Sequence, residues 1–96
     1  MNELSDEARS VLARGLALDG PNAARRARVK QRVLAELTPE RRAVLVMAEV
    51  EEMTAAEIVE VLGIPLNTVY SRIRLARRDF EAALRRCRAR TERSRR

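Results

Sequence analysis

Residues 54–80 read TAAEIVEVLGIPLNTVYSRIRLARRDF, and no other stretch limits the fold as strongly. Thr54 followed three residues later by Glu57 is a capping box. The Thr hydroxyl accepts from the Glu amide, and the carboxylate reaches back to the Thr amide. A short helix should therefore run to about Leu62, with Ile58, Val61 and Leu62 inward. Gly63 suits the left-handed residue that ends a helix. Ile64 packs, and Pro65 opens the next helix with its ring-fixed φ. Helix, three-residue turn, helix is the layout of a helix-turn-helix. Any αα-corner shares that spacing, so the second helix must carry the argument.

At about 100° per residue, Leu66, Val69, Ile73, Ala76 and Phe80 fall on one narrow stripe, the expected buried face. Asn67, Ser71, Arg74, Leu75 and Arg78 lie opposite. Tyr70 and Arg77 flank the stripe on one side, Thr68 and Arg72 on the other. The outward set suits duplex DNA. Arg bonds two acceptors on guanine, Asn does so on adenine, and Ser serves several partners. Thr68 and Arg72 are placed for phosphates, which fix register without reading sequence. Leu75 is the odd member, suited to a thymine methyl or to a protein partner. No acid occurs from residue 61 until Asp79, whereas a helix built only for solubility mixes signs along its length.

The charge distribution agrees. Residues 1–38 carry seven basic and five acidic side chains, residues 39–60 two and six, and residues 61–96 eleven and three. The net +6 is thus a polycationic C-terminal third behind an acidic middle. A clustered basic patch is the footprint of a polyanion partner, usually nucleic acid. Tyr70 and Phe80 are the only aromatics, so the core is built from Leu, Val, Ile, Met and Ala. With Gly and Pro scarce, the expected class is all-α: a small helical bundle with a helix-turn-helix, preceded by a helical hairpin.

Upstream, Ser5 with Asp6 and Glu7 starts a first helix over residues 4–18, whose stripe is Leu4, Ala8, Val11, Leu12 and Leu16, with Leu18 at its end. DGPN at 19–22 breaks it, and Asn22 caps a second helix to about Glu36. The apolar Leu12, Leu16 and Val33 are open to two readings, folding back on residues 39–62 or pairing with another copy. Thr38, Pro39 and Glu40 start a third helix that runs to about Glu52. The fifth helix is expected to end near Arg86, leaving a basic disordered tail. The expected organisation is a hairpin over 1–36, a helix-turn-helix domain over 37–86 and a tail over 87–96.

Within residues 37–84, LTPERRAVLVM followed by TAAEIVEVLGIPLNTVYSRIRLARR resembles region 4 of bacterial RNA polymerase sigma factors. The resemblance is closest to the extracytoplasmic-function group. It implies a helical bundle whose last helix enters the major groove of the minus-35 promoter element. It also implies contact with the polymerase β flap and occlusion by an anti-sigma protein. Carried over by residue, base-reading positions fall on Tyr70, Ser71, Arg74 and Leu75, and backbone positions on Asn67, Thr68, Arg72, Arg77 and Arg78. Tyr70, Asn67 and Leu75 depart from residues common in the family, so the promoter sequence is not inherited from a relative. The aromatic-rich region 2 has no counterpart here. The expectation is a free-standing region 4, a fragment, or half of a split system, without promoter opening of its own.

The competing reading is a protein-interaction module that binds an anti-sigma factor or the β flap, with Leu75, Tyr70 and Val46 as contacts. Catalysis is not expected. There is no His, no paired acid in a pocket, and no nucleophile with a base. A zinc site or intrachain disulfide is excluded by a lone cysteine, Cys87, read as a small residue on a terminal helix. No cofactor is implied. An acidic, polar N-terminus and the lack of a long apolar run argue against a signal peptide or membrane span, so the expected location is cytoplasmic. Oligomeric state is left open.

Overall fold

The computed structural model describes residues 4–14 and 23–94. Its elements are α1 (Asp6–Arg14), α2 (Ala23–Ala35), α3 (Pro39–Leu45), a π-helical turn (Val46–Val50), α4 (Ala55–Leu62) and α5 (Leu66–Ser94). No strand occurs among the described residues, so the protein is all-α as expected. The DGPN break, the Asn22 cap, Leu16 and Leu18 lie outside the described residues.

The start signals act as chemistry requires. The Ser5 hydroxyl accepts from the Ala8 amide at 3.1 Å, and the Thr38 hydroxyl accepts from the Arg41 amide at 3.3 Å. At α4 both arms of the capping box close. The Glu57 amide donates to the Thr54 hydroxyl at 3.2 Å, and the Thr54 amide donates to the Glu57 carboxylate at 2.8 Å. The Thr54 amide first, and the Thr54 side chain after it, hold the Glu57 carboxyl below the usual carboxylate range. Gly63 then takes φ 67°, and its amide closes on the Val59 carbonyl at 2.8 Å.

One core serves every helix. Leu4, Ala8 and Leu12 of the N-terminal segment, Val33 and Leu34 of α2, Val44 and Leu45 of α3 and Ile58 of α4 are buried in it. So are Val69, Ile73, Ala76, Phe80, Ala83, Leu84 and Cys87 of α5. Leu12 and Val33 are therefore inward within this chain. α1 packs against α2, α5 and the π-turn, and α2 packs along α5. At 29 residues and about 1.5 Å per residue, α5 matches the 47 Å long axis of the molecule.

Several expectations are corrected. The third helix keeps α geometry only to Leu45. The Glu51 amide then bonds the Val46 carbonyl five residues back, and Glu52 sits at φ 56°. α1 and α4 both contact this turn, and Val46, Met47, Ala48 and Val50 pack against the core. Val46 is accordingly half-buried.

Val61 is 60% exposed, where an inward side chain was expected. The face that α4 buries is centred between Ile58, Ala55, Val59 and Leu62, and Val61 points about 110° away from it at 3.6 residues per turn. Leu66 is 44% exposed, while Val69 in the same turn is fully buried; Leu66 lies about 50° from the centre of the stripe formed by Val69, Ile73, Ala76 and Phe80. The segment from 87, expected as a disordered tail, is helical to Ser94. Its apolar spacing continues the buried stripe from Phe80 through Ala83 and Leu84 to Cys87, which packs at 4% exposure.

Candidate nucleic-acid interface

Four buried residues set the rotation of α5: Val69, Ile73, Ala76 and Phe80. Phe80 is the largest fully buried side chain described. With that stripe inward, the opposite face is forced outward. Asn67, Arg74 and Arg78 are exposed, and Ser71 and Leu75 are half-exposed. Tyr70, which the helical wheel places at the flank, stands 57% exposed.

Ion pairs fix α5 against the helices beneath it. Arg41 of α3 pairs with Asp79. Arg77 reaches down to Glu49 in the π-turn, with Nε at 2.7 Å and Nη2 at 2.6 Å from the same carboxylate oxygen. Arg42 closes the end of α2, donating to the Leu34 and Leu37 carbonyl oxygens at 3.1 Å each. The Leu34 carbonyl also accepts from the Leu37 amide at 3.1 Å, so Arg42 ties together the turn that follows α2. Arg41, Arg42, Glu49 and Asp79 carry no motif of their own. Their roles depend on partners 38, 8, 28 and 38 residues away, so sequence reasoning passed over them.

The outward arginines differ from Arg77. Arg72 and Arg74 form no ion pair or side-chain hydrogen bond among the described residues. Among the described residues Arg78 pairs with its neighbour Asp79 alone, at 3.9 Å, and its side chain is 70% exposed. Asn67, Tyr70, Ser71, Arg74 and Arg77 line an open groove with Ile73 at its base. The structure thus brings one half of the expected site together. Thr68 and Arg72 stand on the other flank, both half-buried. Among the described residues no cluster of His, Cys, Asp or Glu could hold a metal. No described helix is long and apolar enough to cross a membrane.

A short capped helix, a left-handed glycine turn and a long helix with a cationic outer face define a helix-turn-helix protein of the DNA-binding kind. The family described as sigma-70, region 4 matches residues 31–80, from the second half of α2 to Phe80. That is just over half of the 96 residues, and the chain belongs to this family. Comparison with curated proteins and with solved structures gave no match. Membership carries a DNA-binding role in transcription, in a family of non-enzymatic domains that interact with DNA and RNA polymerase.

Proposed function

We propose that α5 enters the major groove of a minus-35-like promoter element and reads it with Tyr70, Ser71, Arg74 and Leu75. Asn67, Thr68, Arg72 and Arg78 hold the phosphate backbone on either side. The observation that carries this reading is the pair Arg72 and Arg74: two guanidiniums on a helix seated by a buried stripe, with no ion-pair partner among the described residues. Guanidinium matches the two acceptors on a guanine edge, and a phosphate takes it equally well. Arg77 also belongs to the backbone set by family resemblance. In this chain its bond to Glu49 assigns it first to holding α5 at its angle.

The test is selection of preferred duplexes from a random pool, followed by binding of the selected and scrambled duplexes. Arg74→Ala should narrow the difference between them. Arg72→Ala should weaken both alike. Equal affinity for every duplex in the unaltered chain would remove the reading. A second reading is favoured by the exposed apolar side chains Val61, Leu66 and Tyr70. They fit a protein-facing role, against the polymerase β flap or an anti-sigma protein. Capture of the β subunit by the unaltered chain, lost on Tyr70→Ser and Leu66→Ser but kept on Arg74→Ala, would separate that role from DNA reading.

A further inference from the structure

A second cationic surface lies away from the reading face, and it is built on a helix that showed no chemistry as sequence. α2 carries Arg25, Arg28 and Arg32 at positions i, i+3 and i+7, so they share one stripe about 10 Å long. All three are exposed. None forms an ion pair or side-chain hydrogen bond among the described residues. Together with Val29 of α2 and Cys87 of α5 they line an open groove between the two helices.

The carboxylate best placed on α2 to quench this stripe is Glu36, one turn beyond Arg32. It is already occupied by Arg86 at 2.7 Å and Arg90 at 3.2 Å. Those contacts, the hydrogen bond from Arg86 foremost, hold its carboxyl below the usual carboxylate range. One carboxylate between two guanidiniums leaves the groove strongly positive.

We propose that this groove between α2 and the distal half of α5 is a second duplex-DNA contact, made to the phosphate backbone and blind to sequence. Each strand of duplex DNA carries one phosphate per about 3.4 Å of axis, so a 10 Å row of arginines spans about three phosphates of one strand. Among the described residues the polar groups of the lining are guanidiniums alone, and guanidiniums in a row along one helix match successive phosphates. The lining also lacks the aromatic anchors that a protein interface relies on: Cys87 is buried and Val29 only half-exposed. The site does not continue the reading face. Cys87 lies 16 residues beyond Ser71, about 24 Å along α5 and about 160° around it. It therefore meets a different stretch of duplex from the one in which α5 is seated.

The test uses the full 96-residue chain and a random-sequence duplex of about 40 base pairs, titrated across salt. Each neutralised phosphate contributes about 0.9 to the log–log slope. The triple variant R25Q/R28Q/R32Q should therefore lose about 2.7 of slope, with affinity falling alike for every duplex. The ratio between preferred and scrambled duplexes should not move. R25K/R28K/R32K should keep the slope. Arg28→Gln alone should lose about 0.9, which preserves the test if the triple variant melts early. An unchanged slope in the glutamine variants overturns the proposal. So does a loss confined to binding of poly-glutamate, which would make the groove a site for an acidic protein. Arg74→Ala, read in the same assay, moves the preferred-to-scrambled ratio instead, so the two surfaces fail or stand separately.

Discussion

The two halves of α5 carry arginine at similar density, yet they spend its charge differently. In the proximal half, Arg72 and Arg74 have no acidic partner among the described residues. In the distal half, Arg86 and Arg90 share Glu36, and Arg88 pairs with Glu7 of α1. Arg86, Arg88 and Arg90 tie α5 to α1 and to the residue that follows α2, whereas Arg72 and Arg74 keep their charge uncompensated among the described residues. A net charge of +8 over residues 61–96 therefore does not mark one continuous binding surface. What matters is which guanidiniums the rest of the chain leaves uncompensated.

The most severe way to break the contrast is to remove what orients it. Phe80 is fully buried at the end of the stripe that turns the proximal face outward. Phe80→Ala should cost about 3–5 kcal/mol, visible in a denaturant melt. A small domain has little more than that to lose, so DNA binding should fail with the fold. A cost below about 1 kcal/mol would mean that α5 is not seated by this residue.

Next in size is the reading contact. Arg74→Ala should cost about 1–3 kcal/mol on the preferred duplex and leave the melting temperature near that of the unaltered chain, because Arg74 is exposed and unpaired among the described residues. Equilibrium titration of preferred and scrambled duplexes measures it. Equal loss on both would move Arg74 from reading to holding.

The start of the helix-turn-helix gives a smaller effect with a pH signature. Thr54→Ala removes the α4 cap and should cost about 1 kcal/mol. Glu57 is the other arm of the box, and its carboxyl titrates below the usual range because the Thr54 amide bonds the charged form. A depressed carboxyl pKa means that the folded state holds its proton less tightly than the unfolded chain does. Its stabilising contribution is complete above the unfolded pKa, near 4.3. It is lost as pH falls through the lower folded value. Urea midpoints in acid should drop more steeply for the unaltered chain than for Glu57→Gln. Parallel curves would remove the bond from the account.

Much of this half of the molecule was legible in sequence, because its signals are local. A capping box, a Gly turn and a Pro start act within four residues, and the buried stripe of α5 is a spacing rule. Misjudged features depended on distant contacts. Val61 lies about 110° off the stripe that α4 buries, which only the packing of Ile58, Val59 and Leu62 reveals, and Leu66 stands exposed despite its place on the α5 stripe. The π-turn at Val46–Val50 lies where α1 and α4 contact the chain, which the VMAEV string does not encode. The helical continuation past Arg86 was masked by composition: a string of arginines resembles a tail until Glu36 and Glu7 are known to stand beside it. Arg25, Arg28 and Arg32 did carry a readable signal in their i, i+3, i+7 spacing. Only the engagement of Glu36 by Arg86 and Arg90 shows that this spacing is left unquenched.

The smallest expected effect sharpens the comparison most. Arg86 and Arg74 are the same side chain on one helix, 12 residues apart, and both are exposed. Exposed ion pairs contribute only about 0–1 kcal/mol, so Arg86→Ala should barely change the melt. Its effect should instead appear on Glu36. The carboxyl is held below the usual range first by the hydrogen bond from Arg86, and losing that donor should move its titration back upward, read by NMR. Arg90 remains at 3.2 Å, so the return should be incomplete. Discrimination between preferred and scrambled duplexes should not change, because a guanidinium committed to a carboxylate reads no base. If Arg86→Ala lowered discrimination as much as Arg74→Ala, the pairing seen at Glu36 would not separate the two halves of the helix, and the charge of α5 would act as one surface.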